Sequence, residues 1–351
     1  MTVYWTMLLL PALFAITPIR LNQKLQPITW RIFGSVLIII IGLRHEVGGD
    51  WIRYLDTAYG IQKGTDLDFS LLSGDSGYRL IHWFSVNYLN GIYAANFICA
   101  IFFILGLVRF SRSMPIPWIA LLASIPFLVI VVSMGYTRQA AAAGFLMWGL
   151  VDLIREKKIS FYIAIIIGSF LHFTLLIMLP VGVIYGKNKS IISKLFLVIF
   201  PIVLLLGYLL FFKEIVEHML YYYVEINFHY SSGAYIRTFM GFVSAIIFFI
   251  FRKKFKEKFY DENLWLIFSI VSILLFLLSF FYSTFADRIA IYFIPLQLVI
   301  YSRIPILIKS TYNRTVFILC FALIYTSTLF VWLNFGSFSG HWLPYQNLLT
   351  L

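Results

Sequence analysis

Long apolar runs recur along this chain and constrain its fold more than any other feature. The segment IFGSVLIIIIGL at 32–43 is one of them, and it contains no charged residue. Runs of about 20 apolar residues match the length that an α-helix needs to cross about 30 Å of hydrocarbon. A soluble domain of 351 residues has no interior large enough for a composition that is 61% hydrophobic. The sequence therefore predicts an all-α, polytopic helical membrane protein.

The apolar runs predict about 12 membrane segments in a single integral membrane domain that covers the whole chain, residues 1–351. The predicted spans lie at 2–18, 28–43, 92–109, 115–134, 139–155, 194–212, 235–251, 264–282, 286–302 and 315–333, with a short broken pair at 159–170 and 172–186. The pair is predicted as broken because these residues are too few for two full spans. A single span there would move the basic run at 252–258 to the other face.

The basic residues predict the orientation. Most of the 27 Lys and Arg residues fall on one face of this topology, which the positive-inside rule assigns to the cytoplasm. Both termini are then expected on the outer side. The net charge of +12 is explained by this topology, so we expect no nucleic-acid partner. Cys99 and Cys320 lie in separate apolar runs and are expected to pack there rather than form a disulfide.

Two outer loops, at 44–79 and 213–235, are predicted to cover a cavity. In the first, Trp51, Tyr54, Leu55, Ala58 and Tyr59 recur at helical spacing, which predicts an amphipathic interfacial helix. Asp50 is the expected N-cap of this helix, and a second, partly embedded helix is expected to follow in the same loop. The second loop is rich in Tyr and His, which suit either sugar rings or a membrane interface.

Three polar sites interrupt apolar segments at the predicted outer ends: GYTRQAAAAG at 135–144, FLHF at 170–173 and FADRIAIYF at 285–293. An arginine at the bilayer centre costs on the order of 3 kcal/mol, so Arg138 and Arg288 either extend to the headgroups or line a wet cavity. The small residues after Gln139 allow close approach of a backbone or a ligand. His172 suits packing or catalysis, and Asp50 suits helix capping, a general base, or both.

Several common chemistries find no support in the residues. The histidines show no metal-ligand spacing such as HExxH, and no phosphate-binding glycine loop or GxSxG element is present. The segment SGDSG at 73–77 is interpreted as a turn. We therefore expect no metal and no other cofactor.

Five short motifs, in order, resemble those of EpsG-like membrane proteins, which group with the Wzy-type polymerases of O-antigen, capsule and exopolysaccharide. Arg44, Gly48, Asp50 and Tyr54 match R-x3-G-x-D-x3-Y. The other matches are GYTRQAAAAG, FLHFTLLIMLP, DRIAIYF and the tail HWLPYQN. The chain departs from the family in having Gly-Asp-Trp at 49–51, where Thr-Asp-Tyr is expected.

The resemblance implies an inverting glycosyltransferase that moves a glycan from undecaprenyl diphosphate onto a lipid-linked acceptor at the outer face of a bacterial plasma membrane. Guanidinium groups suit the diphosphate through paired donors. The implied diphosphate ligands are Arg44, Arg138 and Arg288. The implied base is Asp50, with His172 as the second choice. Asp287 is implied to orient an arginine or to bind sugar. Residues implied to bind or orient sugar are Gln139, Tyr54, Arg53 and Tyr292.

Two other classes stay open at this point. A flippase for lipid-linked oligosaccharides would also use cations inside a helical bundle, but it should carry them through the full membrane depth. Another outer-leaflet transferase, such as an O-antigen ligase, would use a similar outer site. The expected partners are the lipid-linked oligosaccharides and the bilayer, with a chain-length regulator and a flippase of the same pathway.

Overall fold

A computed structural model describes residues 1–17, 24–62, 75–185 and 233–351 of the chain. Its helices, numbered over these residues, are α1 (Thr2–Ile16), α2 (Leu25–Gly42), α3 (Trp51–Gln62), α4 (Ser76–Tyr88), α5 (Gly91–Arg112), α6 (Pro117–Gly135), α7 (Thr137–Ile154), α8 (Lys158–Leu171), α9 (Phe173–Ile184), α10 (Ala234–Lys258), α11 (Glu262–Ser279), α12 (Ser283–Phe293), α13 (Pro295–Leu307) and α14 (Thr311–Phe335). Strands β1 (Arg44–His45) and β2 (Gln346–Asn347) pair antiparallel. The all-α prediction is confirmed for these ranges.

Six helices in the described ranges are long and apolar enough to cross a membrane: α2, α5, α6, α10, α11 and α14. The pair α12 and α13, bent by 49°, adds a seventh if it counts as one span. Helices α1, α8 and α9 are apolar but shorter. The chain is thus a multi-pass membrane protein, whereas the larger predicted number of segments is not confirmed. The predicted span at 194–212 and nearly all of the predicted loop at 213–235 lie outside the described residues.

Helix α6 lies at the centre of the bundle. Its apolar window is 94% buried, compared with 28% for α14, whose exposed side chains include Leu319 and Leu323. The middle of α6, Ile125–Val132, is π-helical and begins with a proline at its second position. The helix then breaks at Tyr136, which has φ −128° and ψ 61°, and α7 begins at the next residue. This break directs the start of α7 into the candidate site.

Small residues bring α5 and α7 into close contact, as predicted for the run after Gln139. A Cβ atom built on Gly106 would lie 1.9 Å from the carbonyl oxygen of Gly144, so only glycine fits at that crossing. Arg109, near the other end of α5, forms a salt bridge with Asp152 near the other end of α7. The two helices are therefore fixed to each other at the end opposite Arg138.

The two short helices predicted to meet near His172 are present as α8 and α9. His172 itself is extended, with φ −152° and ψ 110°, and its amide donates to the carbonyl of Gly168 at 3.1 Å. The break leaves the imidazole at the junction instead of on a continuous helix face. This is the local reason that His172 can reach residues from other segments.

The predicted interfacial helix is α3. Trp51, Tyr54 and Ala58 are buried on its underside, whereas Arg53 is exposed. Tyr59 was also expected on the underside, but 55% of it is exposed, so that part of the prediction is wrong. The second helix expected in this loop is α4.

Candidate active site

Arg138 and His172 meet at a third residue, Asp75. Nη1 of Arg138 donates a hydrogen bond to Oδ2 of Asp75 at 2.8 Å, and Nδ1 of His172 lies 3.2 Å from the same oxygen. The other oxygen, Oδ1, accepts the backbone amide of Phe173 at 2.8 Å. Asp75 precedes α4, Arg138 lies in the first turn of α7, and His172 lies between α8 and α9. One carboxylate therefore joins three separate segments.

The environment of Asp75 keeps its carboxyl group ionised. Burial alone would raise the pKa of Asp75, but hydrogen bonding to His172 and the positive charge of Arg138 outweigh burial and hold the pKa below its ordinary value. An ionised carboxylate can only accept hydrogen bonds, so Nδ1 of His172 carries the proton of their contact. Nε2 of His172 is then the nitrogen that can accept a proton.

Asp50 and Tyr54 lie beside this centre. The carbonyl of Asp50 accepts the amide of Tyr54 at 3.1 Å, which confirms Asp50 at the N-cap position. The Tyr54 hydroxyl lies 3.5 Å from Oδ2 of Asp50 and within hydrogen-bonding reach of Arg138. Burial raises the pKa of Tyr54, and the charge of Asp50 raises it further, so the hydroxyl stays protonated. Tyr54 thus connects the Asp50 carboxylate to the Arg138 guanidinium.

Arg288 approaches the start of α7 from another helix, α12. Its guanidinium carbon lies 4.0 Å from the centre of the Tyr136 ring, a cation–π contact. Its backbone carbonyl accepts Nε2 of Gln139 at 2.6 Å. Within the described ranges the half-buried guanidinium makes no salt bridge to a carboxylate. Arg288 therefore presents a positive charge that an anionic ligand could balance.

Asp287 pairs with an arginine that the sequence analysis did not single out. Nε of Arg237 donates to Oδ1 of Asp287 at 2.7 Å, and Nη2 of Arg237 donates to Oδ2 at 2.6 Å. The carboxylate is buried, and the guanidinium of Arg237 also lies 5.2 Å from the Phe127 ring centre. The prediction that Asp287 orients an arginine thus finds its partner in α10. The neighbouring Arg288 has no such partner among the described residues.

Tyr292 and Gln139 lie between the two groups of charges. The Tyr292 hydroxyl lies 2.9 Å from Oγ1 of Thr174, and the Gln139 amide is bonded to the backbone of Arg288. Both Asp75 and Arg288 are close enough to act electrostatically on this hydroxyl. Tyr292 and Gln139 are fully or almost fully buried. They form the floor between the Asp75 centre and Arg288.

Arg44 lies behind the site. Its side chain donates to the carbonyls of Val47 at 3.0 Å and Ile41 at 2.7 Å, to Oδ1 of Asn96 at 3.2 Å and to Oγ1 of Thr137 at 2.7 Å. Only 1% of Arg44 is exposed. All three of its nitrogens are thus engaged with protein acceptors. This geometry disfavours the predicted contact with a diphosphate and favours support of Thr137, the neighbour of Arg138.

The structure brings most of the predicted site residues together. Two residues are exceptions: Arg53 is exposed on α3, and Arg44 lies behind the site. Sequence reasoning missed Asp75, Arg237, Thr174 and Tyr136. The only sequence signal for Asp75 was a carboxylate between glycines in an otherwise apolar chain. Among the described residues, no three His, Cys, Asp or Glu side chains are grouped as a metal site.

The arrangement combines two kinds of chemical group. Arg138 and Arg288 offer guanidinium donors to an anion with spread charge, such as a diphosphate. Nε2 of His172, with the ring held by Asp75, offers a proton acceptor near Arg138. Tyr54, Asp50 and Gln139 supply neutral and charged hydrogen-bonding groups of the kind that bind sugar hydroxyls.

The family model described as the EpsG family matches residues 28–347 of the chain. The matched region includes every residue of the candidate site. Comparisons with curated proteins and with solved structures gave no match.

Proposed function

This chain belongs to the EpsG family, and from that membership we propose that it is a polysaccharide repeat-unit polymerase of the Wzy type. It transfers a glycan from undecaprenyl diphosphate onto a lipid-linked acceptor repeat at the outer face of a bacterial plasma membrane. The proposal rests on one arrangement of side chains. Arg138 and His172 both form hydrogen bonds with Asp75, and the nearby Arg288 guanidinium makes no salt bridge among the described residues.

Arg138 and Arg288 bind the diphosphate in this proposal. Both belong to the group of side chains around the start of α7, and Tyr54 and Tyr136 orient them. A diphosphate leaves well when its charge is neutralised, so the reaction needs no nucleotide. Arg44 supports the site by holding Thr137, and does not touch the substrate.

His172 is the base that we favour, in preference to Asp50. The acceptor hydroxyl oxygen forms a bond to the anomeric carbon of the donor glycan, and the bond from that carbon to the phosphate oxygen breaks. The hydroxyl proton passes to Nε2 of His172, and the carrier diphosphate leaves with the bonding electrons. One direct displacement inverts the anomeric centre. Asp75 holds the imidazole in the required tautomer, the role of the carboxylate in Ser-His-Asp enzymes.

The sugar rings contact the remaining groups. Asp50 and Tyr54 orient the acceptor hydroxyl beside His172, while Gln139 and Tyr292 support the opposite wall. Asp287 acts through Arg237, which it holds in place. Arg53, exposed on α3, contacts the glycan farther from the reacting bond. In this proposal the outer loops at 44–79 and 213–235, of which residues 63–74 and 213–232 lie outside the described ranges, cover the site, and the bilayer delivers both lipid-linked substrates.

A flippase for the same lipid-linked substrate is the second candidate. It is favoured by cations inside a membrane bundle. In the described ranges, however, three arginines toward the other end of the bundle are each paired with an acid: Arg109 with Asp152, Arg252 with Glu262, and Arg303 with Asp261. A transport path through the full membrane depth would instead require cations inside the bundle at that end that are not already paired with acids. The polymerase is therefore the better supported of the two.

Incubation of the purified protein with a short lipid-linked repeat tests the proposal. We expect longer glycans and released carrier diphosphate without added nucleotide sugar, with or without EDTA. Movement of the substrate across a vesicle membrane without polymer would favour the flippase. Strict dependence on an added divalent ion would contradict the metal-free mechanism.

A further inference from the structure

The end of the chain returns across the candidate site. After α14, residues 339–347 form a segment that we call the C-terminal strap. Its strand β2 pairs with β1, so that Asn347 lies opposite Arg44 and Gln346 lies opposite His45. The amide of Gly48 donates to the carbonyl of His341 at 2.8 Å. The strap thus holds both ends of the short loop that leads to Asp50.

Trp342 is the residue of the strap that is packed most deeply, with 3% of its surface exposed. Its indole Nε1 donates to the carbonyl of Ile130 at 3.0 Å, within the π-helical part of α6. Its carbonyl accepts the hydroxyl of Tyr4 at 2.7 Å. These contacts attach the strap to two helices besides α14, from which it extends.

The Trp342 ring lies directly against two glycines of the candidate site. A Cβ atom built on Gly135 would lie 2.7 Å from Cζ2 of Trp342, and one built on Gly49 would lie 3.8 Å from Cη2. Gly135 precedes Tyr136, which stacks on Arg288, and Gly49 precedes Asp50. The indole therefore packs against both the loop of Asp50 and the break that precedes α7.

The loop that leads to Asp50 is tightly packed at Gly48. Gly48 has φ +110°, and a Cβ atom there would lie 2.0 Å from the carbonyl oxygen of Met134. The backbone of the loop thus contacts the backbone at the end of α6 directly, which only glycine permits. Trp342 packs against Gly49 and Gly135 beside this contact, so loss of the indole would remove a support that the two surfaces share.

We propose that Trp342 is a positioning residue that holds the Asp50 loop in place against the start of α7, which carries Arg138. This inference rests on the proposed function only for its effect on turnover. The contacts of the strap alone support the structural part of the inference, which is that the strap holds the loop at 44–51 in place. A misplacement of about 1 Å in a catalytic geometry can cost on the order of 100-fold in rate.

Hydrogen exchange and turnover, measured on the same purified variants, test the inference. In Trp342→Ala we expect faster amide exchange in peptides covering 44–51 and a fall in kcat of about tenfold or more, with KM changed little. Trp342→Phe keeps a ring between the glycines and should retain most of the turnover. Phe335→Ala, at a position that is 74% exposed near the end of α14, is the matched control and should behave as wild type.

If Trp342→Ala folds poorly, a double-mutant cycle provides a second test of the inference. Gly135→Ala should lower kcat in the wild type because the new methyl group displaces the indole, and should lower it less in Trp342→Phe. Unchanged exchange at 44–51 in the Trp342 variants would overturn the inference. Faster exchange with unchanged kcat would overturn the positioning role and leave the proposed function intact. If the wild type makes no polymer, the proposed function fails and the exchange data alone decide whether the strap holds the loop.

Discussion

Nδ1 of His172 lies 3.2 Å from Oδ2 of Asp75, although 97 positions separate the two residues in the chain. The carboxylate keeps a proton on Nδ1 and thereby leaves Nε2 free to accept one. The same oxygen accepts Arg138 at 2.8 Å, which places the proposed base next to a proposed diphosphate ligand. The proposed chemistry therefore depends on Asp75, which lies outside both segments that carry its partners.

The first prediction concerns this pair. His172→Ala should lower kcat for polymerisation by about 10²- to 10⁴-fold, because a general base contributes about that much. Asp75→Asn should cause a large loss as well, since the amide can hold the ring in the wrong tautomer. Asp50→Asn should cause a smaller loss. Steady-state rates with a lipid-linked repeat measure all three. If Asp50→Asn were the inactive variant and His172→Ala active, the base would be Asp50.

The second prediction concerns Arg138. Arg138→Ala should abolish long-chain glycan on a ladder gel while the protein remains folded in the membrane. Arg138→Lys should recover only part of the activity, because an ammonium group cannot contact Asp75, Tyr54 and a phosphate with the geometry of a guanidinium. Arg112→Ala, at an exposed position on the other end of α5, is the control. A normal ladder from Arg138→Ala would remove this residue from the site.

The third prediction concerns Arg288 and the ring beneath it. Arg288→Ala should raise KM for the lipid-linked donor more than it lowers kcat, because it removes a ligand of the diphosphate already present in the ground state. Tyr136→Leu should have a weaker effect in the same direction, since a cation–π contact contributes about 0.5–2 kcal/mol. Kinetics over a range of donor concentrations separate the two constants. Equal KM values in wild type and Arg288→Ala would contradict a role in donor binding.

The fourth prediction concerns the ion pair of Asp287 and Arg237. Asp287→Ala should lower the free energy of unfolding by about 3–5 kcal/mol, because it removes one partner of a buried ion pair. The double variant Asp287→Ala with Arg237→Leu should recover much of that stability. Thermal unfolding in detergent measures both. A double variant no more stable than Asp287→Ala would show that the pair is not the source of the loss.

Much of the fold follows from hydropathy and local propensity. The apolar runs predicted the long helices, the amphipathic spacing predicted α3, and His172 marked the junction of α8 and α9. These features depend on residues close together in sequence. The small residues before and at Gly144 predicted close approach of another backbone or a ligand, and the structure places α5 there.

The parts that sequence reasoning missed depend on tertiary contacts. Asp75 resembled a turn residue, and its partners lie 63 and 97 positions away. Asp287 was assigned to the site, but its partner is Arg237 and not its sequence neighbour Arg288. The pairing of β1 with β2 involves strands of two residues, too short for any alternation pattern. Burial of Arg44 could not be read from its motif, because the acceptors for its guanidinium come from several segments.

The central claim is that Arg138 and Arg288 bind the carrier diphosphate beside His172. Electron cryomicroscopy of the protein in nanodiscs with a lipid-linked repeat bound tests this claim most directly. We expect density for the diphosphate within hydrogen-bonding distance of both guanidinium groups, with an acceptor sugar hydroxyl near Nε2 of His172. Diphosphate density elsewhere on the protein, with Arg138 and Arg288 unchanged and out of reach of it, would contradict the account.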